Sequence, residues 1–181
     1  MRVCAGLDPR LALRDIAAHA QRIESLGYDA LHIAETVHDP FLVSMAALQA
    51  THRLTVRTSV ALALVRSPMA VAYSAWDLAA MSDGRFQLGL GTQIRPHIER
   101  RFGAQFDNPV QRLNDHIGAV QACWRAFDGL EKLDYHSEHY TLNLLTPNFT
   151  PDPLPVGVTR PTIWMGGVNK NIVELLELIK K

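Results

Sequence analysis

Cysteine is scarce in this chain: Cys4 and Cys123 are the only two. Neither has a second cysteine at the CxxC spacing of zinc and redox centres. They read as two buried, reduced thiols of a cytoplasmic protein. An excess of either charge is also missing, since Lys plus Arg and Asp plus Glu each total 18. That balance excludes the basic surplus of a nucleic-acid or anionic-membrane binder, and no acidic tail stands out. No apolar run approaches the ~20 residues of a membrane-spanning helix. The opening residues reach Asp8-Pro9 too soon for a secretory leader. Low-complexity tracts are missing as well. Of the eight histidines, only His136 and His139 stand close together, in a segment that reads as a polar hairpin. With no complementary Cys or His pair elsewhere, no metal site is expected, and both are expected to be solvated.

What is present is an alternation of strands and helices. Arg2 to Gly6 reads as a strand. Leu11 to Leu26 carries apolar residues at helical spacing (Leu13, Ile16, Ala17, Ala20, Ile23) and ends at Gly27, a helix-capping glycine. A second strand spans Ala30 to Ala34, with Glu35-Thr36 at its end. Pro40 opens a helix to Ala50. Thr55 to Leu64 is a β-rich, mostly apolar third strand, of the kind covered on both faces. Ser67-Pro68 starts the next helix, with Met69, Ala72, Trp76 and Ala80 as its buried stripe. After the turn Ser82-Asp83-Gly84, a fourth strand runs from Phe86 to Leu90 and leads into Gly91-Thr92-Gln93. This order and its short links predict parallel strands joined by right-handed crossovers.

The rhythm then breaks. A long helix is predicted over Pro109 to Phe127, with Leu113, Ile117, Val120, Trp124 and Phe127 on one face. Leu133 to Leu145 alternates loosely as a hairpin, and a proline-rich loop follows. Residues 104–160 thus read as an insertion within a single domain covering 1–181, either a lid or a structural clamp. Thr162 to Met165 is a fifth strand ending in Gly166-Gly167. Asn169 to Lys181 reads as a helix with a Glu177–Lys181 pair at i, i+4. The fold class is α/β: a partial (β/α)8 TIM-type barrel of about five parallel strands, with an insertion between the fourth and fifth.

Three phrases carry a resemblance: LGYDALHIAETVHDPF, RTSVALALVRSPMAVAYSAWDLAAMSDGRFQLGLGTQIRPHIERRFG and RPTIWMGG. With them the chain resembles the bacterial luciferase-like oxidoreductases, specifically the branch dependent on the deazaflavin coenzyme F420. The resemblance implies a (β/α)8 barrel and hydride transfer with F420, or with FMN as the alternative cofactor. It implies that Ser59 and Val60 match a third-strand bulge with a non-prolyl cis peptide against the cofactor ring. On pattern alone they are equally ordinary strand residues. It implies that Gly91, Thr92 and Gln93 contact the cofactor, although a simple strand-to-loop turn fits the same residues. Gly166, Gly167 and Val168 match a turn suited to the cofactor phosphate, again with a plain tight turn as the other reading.

Two departures bear on catalysis. Relatives place an acid and then a histidine at the second strand's end, where this chain has Glu35 and Thr36. Some relatives carry a glutamate acid where Gln93 stands, and a glutamine donates no catalytic proton. Glu35 and Gln93 are therefore the catalytic candidates, Glu35 for ring or substrate contact. Arg95, Arg100 and Arg101 read as solvated surface arginines. The family's last three strands have no counterpart here. A homo-oligomer covering the open side is the expected partner, beside a small-molecule substrate, with no nucleic acid or membrane. A non-catalytic barrel remnant is the competing functional reading.

Overall fold

The computed structural model describes residues 2–166. The expected Gly167, Val168, the helix Asn169 to Lys181 and the Glu177–Lys181 pair lie outside the described residues. In chain order the elements are β1 (Cys4–Gly6), α1 (Ile16–Ser25), β2 (Ala30–Ile33), α2 (Pro40–Gln49), β3 (Thr55–Thr58), β4 (Ala61–Leu62), α3 (Pro68–Met81), β5 (Phe86–Gly91), α4 (Pro109–Phe127), β6 (Tyr135–His136), β7 (Thr141–Leu142) and β8 (Ile163–Met165). The chain divides into two compact units. The first comprises residues 1–61, 74–90 and 154–165, and the second the remainder.

The first unit holds the parallel sheet. β1 pairs with β2, β2 with β3, β3 with β5 and β5 with β8, all parallel. The register sets Gly6 beside His32, His32 beside Arg57, and Arg57 beside Gln87. Helix starts and stops follow local chemistry. Asp39 caps α2 by accepting from Phe41 N at 2.8 Å and Leu42 N at 3.3 Å, ahead of Pro40 in the first turn. α1 is followed by Gly27 at φ 82°, a left-handed position that glycine takes without strain. Glu24, near the end of α1, fastens the segment before β3. Its carboxylate accepts from the backbone N–H groups of His52, Arg53 and Leu54 at 3.0, 2.6 and 2.8 Å. One face of the sheet is core: Leu31, Ile33, Val56, Phe86, Leu88 and Leu90 are buried. Phe41 of α2 lies against Phe86, with ring centroids 6.4 Å apart.

The third strand is shorter than its apolar run predicts. β3 ends at Thr58, the Ser59–Val60 peptide is cis, and β4 is followed by a single 3-10 turn, Ala63–Val65. The ladder is replaced locally by a side chain. Buried Thr58 accepts from Gly89 N and donates to Gly89 O, each at 2.8 Å. The two backbones come so close that a Cβ on Gly89 would lie 1.9 Å from Thr58 O. Cys4 also departs from expectation. It is exposed on β1, because β1 turns that side chain to the face of the sheet opposite the core. Cys123 is buried, and burial pushes its thiol up to about 11.

The second unit is built on α4, whose Leu113, Ile117, Val120, Trp124 and Phe127 are buried. Trp124 Nε1 donates to Ala72 O at 3.1 Å, and the Tyr73 and Phe127 rings stack 5.1 Å apart. β6 and β7 form the predicted hairpin. His136 is exposed, but His139 is not solvated. It donates from Nδ1 to Asp115 Oδ2 at 2.7 Å, and both side chains are nearly buried. The expectation failed because Asp115 sits on the inner face of α4, where only a polar partner makes its burial tolerable. Arg95 pairs with Glu99 at 2.6 Å on the surface. No helix among the described residues is long and apolar enough to cross a membrane.

Candidate active site

Strand alternation sorts the side chains of the first unit into two faces. The face opposite the core carries Cys4 and Gly6 from β1, and Ala30, His32 and Ala34 from β2 and its end. It also carries Thr55, Arg57 and Ser59 from β3 and its end, and Gln87 from β5. On this face Gly6, Ala34 and Ser59 are exposed, His32, Arg57 and Gln87 half-buried, and Ala30 buried. Along the strand direction it changes character. Toward the carboxyl ends stand the small residues Gly6, Ala34 and Ser59. One row below runs the polar line His32–Arg57–Gln87.

At the carboxyl ends the backbone is tightly fixed. Ser59 N donates to Ile33 O at 2.6 Å, and Glu35 N donates to Val60 O at 3.3 Å. These bonds hold Glu35, 8% exposed, next to the cis Ser59–Val60 peptide. The structure therefore brings Glu35, Ser59 and Val60 together. A Cβ on Gly6 would meet nothing within 4 Å. Ala34 and Ser59 beside it are also small and exposed, so side chains leave this end of the face open, the condition a flavin-type ring would need.

The other candidates belong to the second unit. Gly91 is buried as the last residue of β5. Thr92 donates from its hydroxyl to Gln93 O at 3.2 Å. Gln93 adopts a left-handed φ of 59°, and its side-chain Oε1 accepts from Ile94 N at 3.0 Å. That local bond occupies the side-chain oxygen of a residue chosen as a catalytic candidate. Gly166 follows β8.

Sequence reasoning missed the polar row. Arg57 donates from Nε and Nη2 to Gln87 Oε1 at 2.8 and 2.5 Å, and its Nη1 lies 3.5 Å from His32 Nε2. Its guanidinium stacks on Trp164 of β8 at 4.1 Å from the ring centroid. Burial lowers the His32 pKa, and the Arg57 charge lowers it further, favouring neutral imidazole. A signal was available: Arg57 is a charged residue between the apolar-face positions Val56 and Thr58, so alternation alone aims it away from the core.

The profile of the luciferase-like monooxygenase family matches residues 2–176. A relative from Mycobacterium tuberculosis, itself uncharacterised, is 42% identical over 156 residues, covering 86% of this chain and 45% of its own length. The F420-dependent glucose-6-phosphate dehydrogenase of Intrasporangium calvum is 29% identical over 163 residues, covering 80% of this chain and 47% of its own. Among solved structures, the oxygenating constituent of 3,6-diketocamphane monooxygenase from Pseudomonas putida, in complex with FMN, superposes with a TM-score of 0.75. It is 17% identical and covers 91% of this chain and 51% of its own. The chain thus spans about half the length of the relatives it matches.

Proposed function

Because the chain belongs to the luciferase-like monooxygenase family, we propose that it forms part of an oxidoreductase moving hydride between coenzyme F420 and a small organic substrate. The observation that carries this reading is the placement of Glu35. A buried carboxyl-bearing residue is anchored through its backbone to Val60, beside a strand-end surface of small residues. In this reading Gly6, Ala34 and Ser59 leave room for a planar ring, and the fixed backbone at Ser59–Val60 borders it. Glu35 orients the substrate or shares a proton with it. When bound, F420 supplies the two-electron carbon centre, and the protein supplies position and electrostatics.

F420 is preferred over FMN because the relative with a stated activity and higher identity is F420-dependent. FMN remains the second reading, favoured by the FMN-bound structure that shares the fold. Titration with each cofactor, followed by its own fluorescence, separates the two. Saturable binding of F420, weakened by Ser59→Trp and retained by Glu35→Gln, is the expected result. Tighter FMN binding would transfer the assignment to FMN. Binding of neither would remove the enzymatic reading and leave a scaffold.

A second copy of the chain is the partner this reading expects. Among the described residues β1 pairs only with β2, and β8 only with β5, so each offers an unpaired backbone edge. Sedimentation equilibrium at micromolar concentration should give a dimer or larger species. A compact monomer would remove that partner.

A further inference from the structure

The amino-terminal ends of the same strands hold a feature that hydride transfer at their carboxyl ends does not use. A cavity of about 320 Å3 opens there, lined by Arg2, Arg53, Arg57, Tyr28, Thr55 and Gln87 among others. Three guanidinium-bearing residues therefore border one polar cavity in the first unit.

One carboxylate stands against the three arginines among the residues that line the cavity. It belongs to Asp29, and its Oδ2 accepts from Val3 N at 2.7 Å. Glu24 receives Arg53 through the backbone, and the Arg53 Nη2 contact goes to Glu24 O rather than to its carboxylate. Arg57 has no carboxylate partner among the described residues. Its hydrogen bonds go to the neutral Gln87, its contact is with His32, and its plane rests on Trp164. Guanidinium carries five N–H donors, and two point at Gln87, so donors remain for a ligand. Burial disfavours its charge, Cys4 acts the other way, and the neighbouring Arg2 disfavours it again. Among the described residues no anion touches this half-buried cation directly.

We propose that this amino-terminal cavity is a binding site for an oxyanion, the phosphate or carboxylate group of a small organic molecule, held by Arg57 with Arg2 and Arg53. Arg57 is preorganised for that role. Gln87 fixes one edge of its fork and Trp164 fixes its plane, so little side-chain entropy remains to be lost when an oxyanion accepts from it. Tyr28 adds a hydroxyl and an aromatic wall, and Thr55 a second hydroxyl. The volume exceeds that of inorganic phosphate, which points to an anion carrying an organic body.

The test is calorimetric titration of the whole chain with inorganic phosphate and, separately, with succinate, at low ionic strength and neutral pH. At least one is expected to bind saturably, and the tighter probe tells phosphate from carboxylate. Arg57→Gln should weaken binding at least tenfold, and Arg57→Lys less, since it keeps the charge and loses the planar fork. Arg2→Gln lies at the exposed chain start and cannot disturb the core, so it reports on the site even if Arg57→Gln fails to fold; a loss of several-fold is expected. No saturable heat with either probe would overturn the proposal. So would binding of equal strength in Arg2→Gln and in a folded Arg57→Gln. Neither probe involves F420 or FMN, so this result is independent of the cofactor titration.

Discussion

His139 Nδ1 and Asp115 Oδ2 lie 2.7 Å apart, and this pair ties the β6–β7 hairpin to the inner face of α4. Asp115 is otherwise satisfied by Gln111, which donates to its Oδ1 at 2.9 Å, and its backbone carbonyl accepts from Tyr135 at 3.0 Å. Removing the carboxylate leaves a nearly buried imidazole without its acceptor. Asp115→Ala is expected to cost roughly 3 kcal/mol, and Asp115→Asn less, since an amide oxygen still accepts. Urea denaturation checks the order. Equal midpoints for wild type and Asp115→Ala would contradict it.

Thr58 and Gly89 make a second testable contact. Thr58→Val removes the hydroxyl that serves both Gly89 N and Gly89 O, leaving two buried backbone groups unpaired, for about 1–3 kcal/mol. Gly89→Ala should be worse, because its Cβ would stand 1.9 Å from a backbone oxygen, which cannot rotate away. Thermal unfolding should rank wild type above Thr58→Val and Thr58→Val above Gly89→Ala.

His116 predicts an acid limb of stability. It is fully buried. Burial first, and then the Arg112 and Arg66 charges, lower its pKa from 6.5 to about 4. The folded state therefore resists a proton that the unfolded chain accepts. Its contribution is fully present above pH 6.5 and is lost as the pH falls from there to about 4. Replacing His116 with Gln should flatten the stability profile across that window, as read from denaturant midpoints at stepped pH. An unchanged slope would count against the assignment.

Glu24 acts through the same linkage at lower pH. Burial raises its pKa, but the N–H groups of Arg53, Leu54 and His52 and the Arg53 charge outweigh it, so the net shift is downward. The stabilisation is present above the carboxyl's unfolded pKa of about 4.3 and disappears as pH falls through the folded value. Glu24→Gln should lower stability at pH 7 by roughly 1–2 kcal/mol, discounted for solvent screening. The gap between variant and wild type should narrow as the pH falls below the unfolded value.

The sequence by itself determined the order of parallel strands and helices, the α4 stripe, the glycine after α1 and the proline-led start of α2. These rest on alternation, 3.6-residue periodicity and local turn chemistry, which act between near neighbours in the chain. It also marked Glu35, Ser59 and Val60, through phrases shared with a family. Only the tertiary structure decided that the third strand stops at Thr58, because Gly89 approaches it from 31 residues away. Only the tertiary structure turned Cys4 outward, buried His139 against Asp115, and gathered Arg2, Arg53 and Arg57 around one cavity. Such pairings join residues far apart in sequence, and no local pattern records which distant partner offsets the cost of burying a polar group.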